Sequence, residues 1–359
     1  MLITTGESSN DGRNTEIIDV EDSSFSCPQI KQFPVKLYGA IGGLMTGQVP
    51  FICGGGAYIN PGYAWTPSKD CYQLNKAGSW AKDPKASLDT ARGYAGCGSV
   101  AVILHHQLIL TGGVGDSYLD SMEMVSPNKS TTSSNLFLPA GFNRHCQVKW
   151  DDDTFMVIGG IFSEFFFKFF QILFFFVCFE GYPPIKDETL FVNVKTNQLT
   201  NGPSLKVGRS DHACGEIKVN GKSFIVVSGG LNGQNGLRST EVLDKNNLEE
   251  GWKKSKSLKF FLNICWILIL VLDYISGDDF DLPFDKYNFQ MVSPPDKKAL
   301  YAIGGHKFNQ GDLKNIYKFS CTGGSNTCQW TKSDTTLGFR HYEFVAIPIP
   351  LTLTNKLCN

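Results

Sequence analysis

Val226-Val227-Ser228-Gly229-Gly230, followed by Leu237-Arg238-Ser239-Thr240-Glu241-Val242-Leu243-Asp244, is the stretch on which the reading of the fold turns. An apolar run that ends in two glycines reads as a buried strand entering a sharp bend, where backbone comes close to its neighbour. The second run, apolar but polar-edged, reads as the returning strand. Working outward, His212 to Val219 is a preceding strand, and Asn220-Gly221 supplies the hairpin that joins it to the Gly-Gly strand. Trp252 opens a short fourth strand. The unit is therefore four strands, each joined to the next by a turn.

The unit recurs along the chain. Its Gly-Gly strand reappears as Phe51-Ile52-Cys53-Gly54-Gly55, Ile109-Leu110-Thr111-Gly112-Gly113, Met156-Val157-Ile158-Gly159-Gly160 and Tyr301-Ala302-Ile303-Gly304-Gly305. Ile3-Thr4-Thr5-Gly6-Glu7 reads as a degenerate copy, with Gly6 as the first glycine of its pair. The first glycines fall at 6, 54, 112, 159, 229 and 304, which gives spacings of 48, 58, 47, 70 and 75. Arg13-Asn14-Thr15-Glu16-Ile17-Ile18-Asp19 repeats the returning strand closely. Looser copies begin at Asp70, Asp187 and Lys314. Inner strands are expected within Tyr38 to Met45, Ala95 to Ile103, Arg144 to Trp150 and Asn288 to Ser293. Trp80, Trp252 and Trp330 each stand near the end of a unit, and the third and fourth units lack one.

Apolar run, Gly-Gly, a mid-unit aromatic and a later Trp resemble the Kelch repeat over nearly the whole chain. The resemblance implies an all-β fold, a six-bladed Kelch-type β-propeller. No blade buries both faces alone, so blades close into a ring, with Trp as bulk between neighbours. The chain starts on a Gly-Gly-type strand, and Tyr342-Glu343-Phe344-Val345-Ala346-Ile347 supplies the missing inner strand of the first blade. Residues 1–350 then form one propeller and 351–359 a C-terminal tail. Met1 falls inside a repeat, so the natural start is expected upstream.

Two spacings exceed the period, and each holds an apolar segment, at about 161–179 and 258–280. Removing 19 and 23 residues shortens 70 to 51 and 75 to 52. The second segment holds 13 uninterrupted apolar-leaning residues. As a helix that is about 20 Å, against a hydrocarbon core of roughly 30 Å. Two spans would also split the ring across a membrane, so spanning is not expected. Apolar lids are a second reading. The preferred one is translated intervening sequence, since Phe165-Phe166-Phe167-Lys168-Phe169-Phe170 is what a T-rich stretch encodes and both segments lack repeat features.

The formal net charge is -1, which argues against a nucleic-acid partner. No HExxH, GxSxG or P-loop motif occurs, and close C-x-x-C pairs for zinc are absent. No enzyme activity and no cofactor or metal are expected. Of 11 Cys, Cys321 and Cys328 flank a hairpin and Cys53 and Cys71 fall on adjacent strands, so both pairs are disulfide candidates. Cys97, Cys146 and Cys214 recur on innermost strands, where small buried thiols are common. Such staples favour an extracellular, oxidising compartment if the start lies upstream, and a cytoplasmic one otherwise. Asn128-Lys129-Ser130 is a glycosylation sequon.

In Kelch propellers, as the resemblance implies, partners dock on the face formed by the strand 2–3 and strand 4–1 loops. Arg92, Arg144, Arg209 and Arg340 each open an inner strand there, with Lys286 in the remaining long unit. Converging, these arginines would suit an acidic protein or peptide, because guanidinium binds carboxylates with a fork of donors. The plainer reading is that each braces its own loop. Tyr58, Tyr63, Trp65, Asn232 and His306 are further partner-binding candidates from the same loops. The expected function is a non-catalytic protein-interaction module. The alternative within the resemblance is an intracellular adaptor, actin-binding or recognising ubiquitin-ligase substrates. Such adaptors usually carry a BTB or F-box domain, for which these 359 residues leave no room. A copper-oxidase-like propeller enzyme would need a Tyr, Cys and His ligand set that nothing here picks out.

Overall fold

Strands that are apolar on both faces need covering on both, and the chain meets that need by stacking its sheets around an axis. The computed structural model describes residues 1–6, 12–27, 30–59, 64–96, 101–163, 185–254, 280–308, 310–321 and 328–358. Six antiparallel sheets form the blades of a β-propeller. Blade I combines Val345–Ile347, Leu2–Thr4 and Thr15–Ile17. Blade II is Ile41–Met45, Val49–Cys53, Asp70–Leu74 and Trp80–Ser87. Blade III is Ile103–Leu104, Gln107–Thr111, Ser121–Val125 and Thr132–Phe137. Blade IV is Cys146–Lys149, Thr154–Ile158, Thr189–Asn193 and Gln198–Asn201. Blade V is Ala213–Val219, Lys222–Ser228, Thr240–Asp244 and Lys253–Lys254. Blade VI is Gln290–Val292, Ala299–Ile303, Asn315–Cys321 and Cys328–Thr336.

The Gly-Gly strands are the second of each blade, and Thr154–Ile158 and Ala299–Ile303 are buried at every position. Sandwiching between two other blades explains their unbroken hydrophobicity. Six apolar clusters fill the six junctions, one each. Trp80, Trp252 and Trp330 pack toward the preceding blade. Trp252 Nε1 donates to the Pro203 carbonyl at 2.8 Å, and Trp330 Nε1 to Thr240 Oγ1 at 3.2 Å. Where Trp is missing, the junction before blade III is filled by Met45, Leu88, Leu110 and Val125, and the next by Phe142 and Phe155.

The glycine pairs bind blade to blade. The N–H of Gly55, Gly113, Gly160, Gly230 and Gly305 donates to Arg92, Phe142, Arg209, Lys286 and His341 of the next blade, at 2.6–2.8 Å. Gly6 makes the same bond to Leu37 at 2.9 Å. Gly6 is therefore the second member of its pair, which corrects the sequence register by one. Thr5, at φ 66°, takes the place where the other copies, Gly54, Gly112, Gly159, Gly229 and Gly304, have glycine. At Gly54 an added Cβ would stand 2.6 Å from the Arg92 carbonyl, so this corner has no room for a side chain.

The seam pairs Leu2 with Ile347, Ile3 with Ala346 and Thr4 with Val345. Among the described residues blade I has no fourth strand. Residues 351–359, read as a tail, instead contain the helix Leu351–Cys358, which buries Leu353 and Leu357 against Phe33, Tyr72 and Trp80. A Cys27–Cys358 disulfide, 4.8 Å between Cα atoms, fastens that helix to the N-terminal part of the chain. Cys53–Cys71 and Cys321–Cys328 are disulfides as expected. Cys146 and Cys214 are not free thiols: they form a disulfide between the inner strands of blades IV and V, with Cα atoms 6.0 Å apart. Cys146 stands two residues past the positive-φ residue Arg144 and Cys214 three past Asp211, so the two alternate in direction and meet across the junction, a proximity that sequence spacing does not show. Cys97, Cys178 and Cys265 lie outside the described residues.

Most of both apolar segments also lies outside the described residues. At their edges, Ile161–Ser163 pairs with Gly141–Asn143, and Phe280 packs on Phe319 with ring centroids 6.4 Å apart. No helix among the described residues is long and apolar enough to cross a membrane.

Candidate functional site

Each 4–1 connection delivers two residue positions that organise the mouth of the ring. The first is an inward brace. Arg92 Nη1 donates to the Gly112 and Ser121 carbonyls, both at 2.9 Å, and Nη2 reaches Glu123 at 2.6 Å. Glu123 also accepts the backbone N–H groups of Asp89 and Thr90. Arg209 repeats this with Gly229 at 2.8 Å, Ser239 at 3.0 Å and Glu241 at 2.6 Å, and Glu241 accepts Lys206 and Val207. Between blades VI and I the residue in this place is His341, whose ring nitrogens contact the Thr5 carbonyl at 3.0 Å and Glu16 at 3.1 Å. Arg340, its neighbour, is exposed. The remaining braces are Leu37, Phe142 and Lys286.

Lys286 is fully buried and, among the described residues, makes no ion pair. Its ammonium lies 5.1 Å from the Phe289 ring and 5.5 Å from Tyr317, and 3.4 Å from the Ala302 carbonyl. Burial pulls its pKa down to about 7. His145 is held neutral, with burial lowering its pKa to about 3, and its Nε2 lies 2.9 Å from Thr111 Oγ1.

The second position, two residues on, has positive φ in every blade: Gly39, Tyr94, Arg144, Asp211, Asn288 and Glu343, between 53° and 59°. These six form a closed circuit of backbone hydrogen bonds. Tyr94 N–H donates to the Gly39 carbonyl at 2.8 Å, Arg144 to Tyr94 at 3.1 Å, and Asp211 to Arg144 at 3.0 Å. Asn288 donates to Asp211 at 2.9 Å, Glu343 to Asn288 at 3.2 Å, and Gly39 to Glu343 at 2.9 Å. Their side chains form a second layer of contacts. Arg144 Nη1 meets Asp211 Oδ1 at 2.7 Å and stacks 4.6 Å over the Tyr94 ring. Tyr94 donates to Glu343 at 2.8 Å, and Asn288 Nδ2 to the other Glu343 oxygen at 3.2 Å. Asp211 holds the Arg144 pKa above its usual range, and burial foremost, then Glu343, raises that of Tyr94. The cavity lined by Gly39, Tyr94, Asp211, His212, Asn288 and Glu343 measures about 10 Å³, near the least that holds one water.

Aromatic residues lead outward from the mouth. The hairpin Gly56–Ile59/Ala64–Pro67 carries Tyr58 and Trp65, with ring centroids 5.3 Å apart, and Trp65 lies 5.0 Å from Tyr94. Across the mouth, Tyr287 contacts His306 at 5.0 Å and Phe308 at 5.2 Å. Asn232 sits in the hairpin Leu231–Asn232/Asn235–Gly236 and donates to the Gly208 carbonyl at 2.8 Å. Tyr63 lies outside the described residues.

The expected arginines thus part company. Arg144 faces the mouth, Arg340 faces solvent, and Arg92 and Arg209 are wholly buried in their own blades. Sequence reasoning missed His341, the burial of Lys286, and the mouth residues Tyr94, Asp211, Asn288 and Glu343. One signal was present: Glu16, Glu123 and Glu241 occupy one position of the third strand, and each partners a brace.

No family model matches the chain, and no curated protein matches it in sequence. Among solved structures, that of YjhT is similar at 14% identity, covering 84% of this chain and 86% of that one, with a TM-score of 0.56. At that identity the likeness bears on the fold alone, and it supports the ring of six blades.

Proposed function

We propose that the chain is a non-catalytic protein-interaction propeller of the Kelch type, and that its partner docks on the face carrying the 2–3 and 4–1 connections. The observation that carries the reading is where large apolar side chains stay exposed. Among the described residues these are Val35, Tyr58, Tyr118, Phe137, Leu248, Phe308, Phe339 and Leu351. Tyr58, Tyr118 and Phe308 belong to 2–3 connections, Val35 and Phe339 to 4–1 connections, and Phe137 ends an outer strand at the same edge. Only Leu248 and Leu351 lie on the opposite face. Tyr and Phe are favoured anchors at protein interfaces because each buries much area at little rotamer cost.

The near-closed mouth supports recognition by surface rather than turnover in a cavity. Of the four arginines Arg144 is already paired with Asp211 and Arg340 is exposed, so aromatic contact is the primary element of the proposal and charge the secondary one. Four disulfides support folding in an oxidising, extracellular compartment. Affinity purification of the full chain from its native fluid tests the face. A Tyr58→Ser/Phe308→Ser/Phe339→Ser variant is expected to lose the co-purifying protein, while Leu248→Ser/Leu351→Ser keeps it. Retention by the first variant, or loss in both, overturns the reading.

A further inference from the structure

Asn128-Lys129-Ser130 is the one Asn-X-Ser/Thr triplet in the sequence, and its middle residue is not proline. The structure places it at the tip of the hairpin between Ser121–Val125 and Thr132–Phe137. Lys129 N–H closes a turn onto the Ser126 carbonyl at 3.3 Å, with Pro127 first and Asn128 second of the two central residues. Asn128 has φ 58°, the positive value that a type II turn requires at that place and that asparagine tolerates. Its backbone N–H donates to Asp83 Oδ2 of blade II at 2.7 Å, which anchors the turn. Asp83 is itself buried and accepts the Lys85 and Ala86 N–H groups at 2.9 Å. The turn is thus held by its backbone N–H groups, the Asp83 carboxylate and Ser126, with no part taken by the Asn128 side chain. Asn128, Lys129 and Ser130 are exposed, and among the described residues neither the Asn128 amide nor the Ser130 hydroxyl has a hydrogen-bond partner within the protein.

We infer that Asn128 carries an N-linked oligosaccharide. The donor class is a lipid-diphosphate-linked oligosaccharide. The Asn128 Nδ2 forms a bond to the anomeric carbon as the bond from that carbon to the diphosphate oxygen breaks. The diphosphate leaves with its electron pair and Nδ2 gives up one proton, so no oxidant or reductant enters. The finished glycan projects into solvent from a 3–4 hairpin, on the face opposite the mouth. Beside it lies the turn containing His106, whose carbonyl accepts Ser126 Oγ at 3.0 Å. The aromatic face therefore stays clear for a partner, while the sugar covers part of the other end of the ring.

This inference rests on the oxidising-compartment reading proposed above, and one preparation separates the two. The full chain is secreted from a eukaryotic cell, its free thiols are alkylated under denaturing conditions, and half is treated with peptide-N-glycosidase. The expected result is a discrete loss of mass and an aspartate at position 128 in the peptide map. Asn128→Gln and Ser130→Ala abolish the shift, and Ser130→Thr retains it. Disulfides formed with no shift, or sugar on another residue, overturn the Asn128 assignment and leave the compartment reading standing. Free thiols at the eight paired cysteines overturn both.

Discussion

Arg209 and Glu241 are buried together, and the same place in blades II and IV does without charge. Leu37 with Tyr72 in blade II, and Phe142 with Leu190 in blade IV, fill it with apolar side chains. The chain itself thus shows that the brace need not be ionic. Removing one partner is different, because it strands a charge away from water. Glu241→Gln is expected to cost about 3–5 kcal/mol in urea unfolding, while Arg209→Met with Glu241→Leu together costs far less. Lys286 tests the converse. Its ordinary pKa of 10.5 applies in the unfolded chain and about 7 in the folded one. Between those values unfolding takes up a proton, so stability rises with pH from about 7 to 10.5 and is flat in this respect below 7. At roughly 1.4 kcal/mol per pH unit the full span is on the order of 5 kcal/mol. Lys286→Met is expected to be more stable at pH 7 and to lose this rise, read from melting curves of both proteins at pH 7 and 10.

At the scale of strands and turns, the disulfides make the sharpest prediction. Eight of the 11 cysteines are paired, so alkylation of the denatured, unreduced chain should leave those eight unmodified. Modification at Cys146 or Cys214 would contradict the tie between blades IV and V. Two of these pairs were legible from sequence because they lie within one blade: Cys321 and Cys328 across a hairpin, Cys53 and Cys71 opposite each other in register. The other two join separate repeats, and only the closed ring brings them together. The blades themselves were legible because a strand sandwiched between sheets must be apolar throughout, which leaves a mark in Val226-Val227-Ser228 or Tyr301-Ala302-Ile303. Register was legible only where glycine marked it. Thr5 adopts the same positive φ without that mark, and so the first repeat was misread by one residue. The mouth was least legible. Tyr94, Arg144, Asp211, Asn288 and Glu343 share a backbone conformation but no chemistry, so no residue pattern repeats there.

For the molecule as a whole, closure falls to a short seam, three residue pairs long, where other blades are continuous in chain. The Cys27–Cys358 disulfide closes it over a separation of 331 residues, against 7 for Cys321–Cys328. Chain entropy therefore assigns the seam staple the larger share, about 6 kcal/mol against about 2 kcal/mol. Cys27→Ser/Cys358→Ser is expected to lower the urea midpoint clearly more than Cys321→Ser/Cys328→Ser, and equal losses would refute the clasp role.

The six amides at the mouth work like the leaves of an iris. Each gives to one neighbour and receives from the next, so each bond polarises its successor around the loop. A single blade that tilted outward would break two bonds of the circuit and strand two donors and two acceptors, and the aperture therefore has no partial settings. A partner arriving at this face meets a fixed rim, and any adjustment in the complex has to come from the hairpins above it or from the partner itself.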